Sequence, residues 1–593
     1  MLTTLPPEIF SIIIEQLSKH GLKSLSAVSR HTRSLSAKTL WRSVVLRLVE
    51  GKMHCIQTAS LPEQCYQLST ELHFRSYPQS SVDCPHIYDE GSSIWGDDDI
   101  DDEIDFEDDD EYRDLPYFDR IAQRARLVLS RFADDQLRSF SWDLGTCIPP
   151  EILGSNGIVT LRQSRNLRSL HLITHPDCSG QWEDGDGIEI DLSSFRQLRS
   201  LGWKAPNAKN LEALSVALRS NSMHLQEFDL NLVDLEAARD MVGESGDDDY
   251  EGGSYDLGAI LGMDERSPRP YFPEIRVLSL TQVPITPSMM AMADFSTLTS
   301  FTLRRCPGSA EFLGHIAEQT ITINLQRLEF QSWENPLVES SRIRELIPTF
   351  AGLEELFILE HGPEDTIDLW DHIATNHATL RKFVYHQITS DLDEDSSYFE
   401  EFHDVQDLAI LLSISKVKEN LIKHNPFSRL DLKCLGLSCA PGKLLKLILR
   451  PFRTKNSLQL LHLRQTRRDM YRYECLGLRK RLLDNGGLMS LDCSLKGDMM
   501  DQAEALRGLR SRFRQFLEWA FGLNGLPSLQ VVAFGDFAMS DAQYTVIACR
   551  DTNESTNFQI VSPSHPKMRT ILSEYGDVLR ACPSESSLRT WHA

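Results

Sequence analysis

A hydrophobic block of the form L-x-x-L/F-x-L/W returns through most of this chain and constrains its fold more than any other feature. LRSFSW begins at Leu137, LRSLHL at Leu167, LRSLGW at Leu198 and LQEFDL at Leu225. IRVLSL at Ile275, LTSFTL at Leu298, LQRLEF at Leu325, LEELFI at Leu353 and LRKFVY at Leu380 continue the series. LKCLGL at Leu432, LQLLHL at Leu458 and LQVVAF at Leu529 complete it. Apolar residues alternate within each block, as a short strand with a buried face requires. Between blocks, NLEALSVALRS from Asn210, RIRELIPTFAG from Arg342 and TIDLWDHIATN from Thr366 have helical spacing. One strand and one helix cannot bury their apolar faces alone, so neighbouring units must stack.

Most intervals are about 23 to 31 residues, in or near the leucine-rich-repeat range. The gaps Leu225–Ile275 and Leu380–Leu432 are each close to two periods and hide an insertion or a degenerate repeat. The expected fold is therefore α/β: an irregular leucine-rich-repeat solenoid over 137–535, its parallel strands lining the concave side. Arg168, Arg199, Gln226, Thr299, Gln326, Glu354 and Arg381, at x positions of the blocks, are expected to face outward there as a candidate substrate face. Taken singly, each also reads as an ordinary solvated strand position.

The N-terminus carries a second pattern. Pro6 and Pro7 suit a first helical turn. Ile9, Ile12, Ile13 and Leu17 recur at helical spacing, and Gly21 is expected to stop that helix. Leu22, Leu25 and Val28 restart the period, followed by Leu35, Leu40 and Trp41. Three short helices in roughly forty residues make a small core, which needs support from something else. The order Leu5-Pro6, Glu8-Ile9, Ile12-Ile13, Leu17, Leu22, Leu25, Val28-Ser29-Arg30, Arg33, Leu40-Trp41 resembles an F-box over about the first 45 residues. That resemblance implies docking onto the Skp-family adaptor of a cullin–RING ubiquitin ligase. Leu5, Pro6, Ile9, Ile13, Leu17, Leu25 and Val28 would share the adaptor interface and the domain core. A generic three-helix cap on a larger domain is the alternative. An F-box followed by irregular repeats is similar to the F-box receptor proteins common in fungi, in which the repeats are thought to hold the substrate. The implied protein is a non-catalytic substrate receptor for ubiquitin-dependent degradation, with an interaction scaffold not coupled to degradation beside it. The expected division is an F-box at 1–48, a linker with a degenerate first repeat (LSTELHFR, from Leu68) at 49–136, the repeats, and a C-terminal cap or tail at 536–593.

Charge narrows the partners. A formal net charge of −25 argues against a general nucleic-acid binder. Acidic insertions at 96–114 and 390–402 read as solvated loops, and the Gly-, Asp- and Pro-rich stretch at 242–274 as a loop insertion. The first lacks the turn glycine of a calcium loop. In the other direction, Arg464, Arg467, Arg468 and Arg472 form a basic run that suits an anionic ligand, since the planar guanidinium donates two parallel hydrogen bonds. Pairing with the acidic insertions, weak nucleic-acid contact and a solvated repeat edge are its competitors. Twelve cysteines without a CxxC pair read as free thiols in a reducing compartment, cytoplasmic or nuclear, with no metal site. No apolar run approaches the roughly 20 residues of a membrane span, and no secretory signal pattern is seen. Catalytic and cofactor motifs are likewise missing from the sequence, so no cofactor is expected.

Overall fold

Alternation within each block builds the sheets. Leu167, Leu170 and Leu172 are buried, and so are Leu198, Leu201 and Trp203 one period on. The structure, a computed structural model, describes residues 7–17, 19–49, 52–56, 62–76, 117–175, 190–233, 270–319, 321–332, 336–361, 366–388, 419–438, 441–464, 513–535, 537–538, 545–551, 558–562 and 565–583. The chain is mixed α/β with mostly parallel strands, and it divides into two units, Met1–Ile275 and Arg276–Trp591. The acidic insertions at 96–114 and 390–402 lie outside the described residues, as does 242–274 up to residue 269.

In the first unit, β1 (Ser43–Val49), β3 (Glu71–Arg75), β4 (Ser139–Asp143), β5 (Ser169–Ile173), β6 (Ser200–Lys204) and β7 (Glu227–Asn231) pair in parallel, each with the next. Strand β2 (Lys52–Ile56) pairs antiparallel with β1. LSTELHFR thus contributes a full strand. The sheet also starts earlier than expected, because β1 crosses the boundary placed at residue 48. Leu72, Phe74, Phe140 and Trp142 fill the buried side. Phe74 lies edge-on to Phe140, ring centroids 6.1 Å apart.

In the second unit, β8 (Val277–Thr281), β9 (Ser300–Arg304), β10 (Arg327–Gln331), β11 (Glu355–His361), β12 (Lys382–Ile388), β13 (Cys434–Leu437), β14 (Leu460–Leu463) and β15 (Val531–Phe534) pair in parallel in chain order. Strands β16 (Val546–Arg550) and β17 (Phe558–Val561) continue antiparallel from β15. Connecting segments pack on the side that holds the block residues: Trp370 lies 5.8 Å from Tyr385 and 4.9 Å from Phe427.

Each block starts with a leucine, or at Ile275 an isoleucine, placed short of the strand and buried. Polar side chains from the next connection accept from the backbone N–H of several of these. Gln163 Oε1 accepts from Leu137 N at 2.9 Å, and Asn221 Oδ1 accepts from Leu198 N at 2.9 Å. His377 Nδ1 accepts from Leu353 N at 3.3 Å while its Nε2 donates to the Ile347 carbonyl, 3.1 Å away. Burial lowers the His377 pKa, against the Ile347 carbonyl bond, which favours the neutral ring that can accept from Leu353. Asn221 also donates to the carbonyls of Phe195 and Ala217, both at 2.7 Å. Asn221→Ala therefore takes the side-chain partner from three buried backbone groups, Leu198 N, Phe195 O and Ala217 O, and is expected to cost about 2–4 kcal/mol, given roughly 1–3 kcal/mol for one unsatisfied buried group. Chemical denaturation of the variant checks this; a cost under about 0.5 kcal/mol, the level of an ordinary surface change, refutes it.

Three helices, α1 (Pro7–Glu15), α2 (Lys19–Val28) and α3 (Arg30–Leu40), precede the first sheet. Ser29 caps α3, its Oγ accepting from Thr32 N at 3.1 Å while Ser29 N donates back to Thr32 Oγ1 at 3.0 Å. Gly21 lies within α2 and does not end α1. Instead, tight turns close α1, with Gln16 N donating to Ile13 O and Leu17 N to Ile14 O.

Candidate functional site

Helical spacing on α1–α3 supplies more apolar side chains than the helices bury among themselves. Phe10, Ile14 and Leu22 form the core of the helices, with Leu25 and Leu40 packed against it. Ile9, Ile12 and Val28 stay 46%, 58% and 74% exposed, and Leu17 and Leu35 are also exposed. Of the expected adaptor residues, Ile9, Leu17 and Val28 are exposed, Ile13 and Leu25 half-buried, and Leu5 and Pro6 lie outside the described residues. Phe10 and Ile14, the larger part of the core, were not singled out from the sequence, although they keep the same helical period.

On the sheets, the expected substrate face needs correcting. Arg168, Arg199, Gln226, Thr299, Gln326, Glu354 and Arg381 sit one residue before their strands, not on the strand face. Their backbones form a ladder: Arg199 N donates to Arg168 O, Gln226 N to Arg199 O, Gln326 N to Thr299 O, Glu354 N to Gln326 O and Arg381 N to Glu354 O, at 2.7 to 2.8 Å. The parity is opposite to that expected. Side chains alternate along a strand, so the second block position shares the side of the buried fourth and sixth. Only the turn preceding the strand lets it escape to solvent. The face opposite the core is made by the third, fifth and seventh positions.

In the first unit those positions are polar except for Ile173 and Gly202. His73 and Arg75 on β3, Ser141 and Asp143 on β4, His171 on β5, Lys204 on β6, and Asp229 and Asn231 on β7 fall on this face. Asp143 is buried and central. Ser141 Oγ donates to its Oδ1 at 2.5 Å, Arg75 Nε lies 3.4 Å away and His171 Nδ1 3.7 Å away. Burial opposes charge on His171, but Asp143 and then Asp229 outweigh it and raise its pKa. His73 shifts the other way, lowered by burial and then by Arg75. Gly202 makes room for the His171 ring, since a Cβ there would come within 2.7 Å of Cδ2. Ser141 is committed to Asp143 and not to a histidine, so this cluster orders charge without activating a nucleophile.

In the second unit the same face is occupied over β10 to β15. The C-terminal helix Pro566–Leu579 and the residues after it lie on Phe357, Leu359, Val384, Cys434, Leu460, Val531 and Ala533. Lys382 Nζ pairs with Asp577 and, at 2.8 Å, with Glu355. Arg464 is buried here: its guanidinium meets His386 Nδ1 at 2.7 Å and donates to the carbonyls of Ala581, at 3.0 Å, and Cys582. It is therefore not part of a solvent-facing anion patch; Arg467, Arg468 and Arg472 lie outside the described residues. Burial, then Arg464 and His462, hold His386 well below the usual histidine range, leaving Nδ1 free to accept. The C-terminal stretch expected to cap the repeats thus covers a strand face as well as extending the sheet edge.

Cys65, Cys147, Cys306, Cys434, Cys549 and Cys582 are free thiols, all but Cys147 buried. Burial pushes Cys434 up to about 12 and Cys549 up to about 11. Among the described residues no cluster of His, Cys, Asp and Glu could hold a metal ion, and no helix is long and apolar enough to cross a membrane. No protein-family model and no curated protein sequence matches the chain.

Proposed function

We propose that this protein is the substrate-recognition subunit of a Skp–cullin–F-box ubiquitin ligase, its N-terminal helices an F-box and its strand-bearing units irregular leucine-rich repeats. The observation that carries the reading is the number of apolar side chains that α1–α3 leave exposed. Ile9, Ile12, Leu17, Val28 and Leu35 are exposed on a unit whose own core is three buried side chains. Exposed apolar groups concentrated on one small element mark a surface made for a partner, and the partner that the F-box resemblance implies is the Skp-family adaptor. A protein substrate would then meet the sheet units, and ubiquitin transfer would be carried out by the other subunits. This chain contributes proximity, holding a substrate lysine near the loaded conjugating enzyme.

Ile9 and Val28 are exposed, so charging them tests the interface without removing core volume. The double variant Ile9→Asp/Val28→Asp is expected to bind a co-expressed Skp-family adaptor at least about tenfold more weakly than the intact chain, equivalent to about 1.4 kcal/mol. Calorimetric titration measures it, with circular dichroism to confirm folding. A folded intact chain that does not bind the adaptor overturns the F-box reading.

A further inference from the structure

The ladder that precedes the strands changes character between the units. In the first unit it runs through Arg42, Thr70, Arg138, Arg168, Arg199 and Gln226, joined by backbone hydrogen bonds. Two further arginines, Arg165 and Arg196, stand three residues before Arg168 and Arg199 in the stacked turns, where Asn166 Nδ2 donates to the Asp135 carbonyl at 2.8 Å. Arg138, Arg165, Arg168, Arg196 and Arg199 are all exposed. Among the described residues none of the five makes an ion pair or a side-chain hydrogen bond.

Nearby acids do not neutralise them. Asp134 is taken by Arg162 at 2.5 Å, and Glu71 by Arg42 at 2.7 Å. Asp135 is half-buried, and Glu227 stands one step beyond the last arginine of the ladder. In the second unit the same ladder reads Arg276, Thr299, Gln326, Glu354, Arg381, Lys433, Gln459 and Gln530. There the charges are mixed, and Arg381 is paired with Asp431 at 2.8 Å. Five unpaired guanidiniums on one edge stand out in a chain of net charge −25.

We propose that this edge of the first unit binds a short acidic segment of a partner protein, whose anionic oxygens sit on Arg138, Arg165, Arg168, Arg196 and Arg199. The span fits. Arg138, Arg168 and Arg199 each stand one residue before adjacent strands spaced about 4.8 Å apart, so the column covers about 10 Å, the reach of three residues of extended peptide at about 3.3 Å each. Arginine suits the task because its fork seats two oxygens at once. A nucleic acid is the poorer fit: its affinity grows with the number of phosphates contacted, and this edge is short on a strongly acidic protein. The proposal deepens the receptor reading by giving the class of segment recognised, and rests on it only for what happens to the bound protein.

The test uses the full chain and a fluorescent peptide of a dozen alternating Glu and Asp residues, followed by anisotropy at low and then at physiological salt. Binding that weakens with salt is expected, and Arg168→Glu/Arg199→Glu should lose at least about tenfold, or about 1.4 kcal/mol. Arg381→Glu, at the same register in the second unit, should change affinity less than about twofold, within the few tenths of a kcal/mol typical of a surface change. No binding by the intact chain, or equal losses in both variants, overturns the proposal. So does tighter binding of a single-stranded RNA of equal length through the same arginines. Removal of residues 97–110 (an acidic run of this chain) separates a further case: a gain above about tenfold would mean that the edge is occupied from within, not by a partner. Adaptor binding is measured separately, so failure here and failure of the F-box reading are distinguishable.

Discussion

Glu329→Ala is expected to destabilise the second unit by about 3–5 kcal/mol, the cost of breaking a buried ion pair by removing one partner. Glu329 is fully buried at the fifth position of the β10 block. Arg304 grips it with both nitrogens, Nε to Oε1 at 2.7 Å and Nη2 to Oε2 at 2.9 Å. Cys582 N donates to Oε1 at 2.8 Å, and Arg327 Nη2 lies 3.5 Å from Oε2. Without the carboxylate, the Arg304 guanidinium loses its bidentate partner and the Cys582 amide is left buried and unsatisfied. Thermal unfolding measures the loss; a melting temperature within about 2 °C of the parent would sink the claim.

The same group fixes a pH dependence. Burial raises the Glu329 pKa, but Arg304, Arg327 and the Cys582 amide together outweigh burial and hold it below its ordinary value of 4.5. A depressed carboxyl stabilises fully above its unfolded pKa, and that contribution disappears as pH falls through the native value. The stability gap between the parent and Glu329→Gln should therefore be constant near neutrality and narrow only below pH 4.5.

The fold class and most of the core were legible in the sequence because the block repeats a burial pattern. Leu170, Leu201, Phe228, Phe301, Leu328, Leu356 and Phe383 all occupy its fourth position, and all are buried. The strand-face residues were misplaced by one position because the block begins in the turn before the strand, and periodicity alone does not mark where pairing starts. A local signal for the polar clamps was present. Gln163, Asn221 and His377 stand three or four residues before the next block, each a side chain able to accept from a buried amide. Arg464 could not be read correctly from its neighbourhood. Its basic company in sequence suggests solvent, but the carbonyls that bury it come from Ala581 and Cys582, more than a hundred residues on.

That long-range closure leads to the largest expected effect. A chain ending at Val561 is expected to lose the cooperative unfolding transition of the second unit. Ile571, Tyr575, Val578 and Leu579 are buried against the strand face. At about 1.5–3 kcal/mol for each large apolar side chain buried, these alone contribute on the order of 6–12 kcal/mol, comparable with the whole stability of about 5–15 kcal/mol of a typical domain. Their removal would also open Phe357, Val384, Cys434, Leu460 and Val531 to water, and strip Glu329, Lys382 and Arg464 of partners. Val578→Asp breaks the apolar contact without shortening the chain, since it places an unpaired carboxylate at a fully buried site. The partly exposed Lys433–Glu574 pair, 3.4 Å apart, provides the contrast, and Glu574→Gln should cost under about 1 kcal/mol. Calorimetry with a dye that reports exposed apolar surface reads all three. A truncated chain that melts cooperatively at the parent temperature without binding the dye would show the C-terminal helix to be an adornment on a sheet that is stable without it. If instead Val578→Asp reproduces the truncation while Glu574→Gln does not, apolar contact with the strand face is what holds the helix there, and the surface charges are secondary.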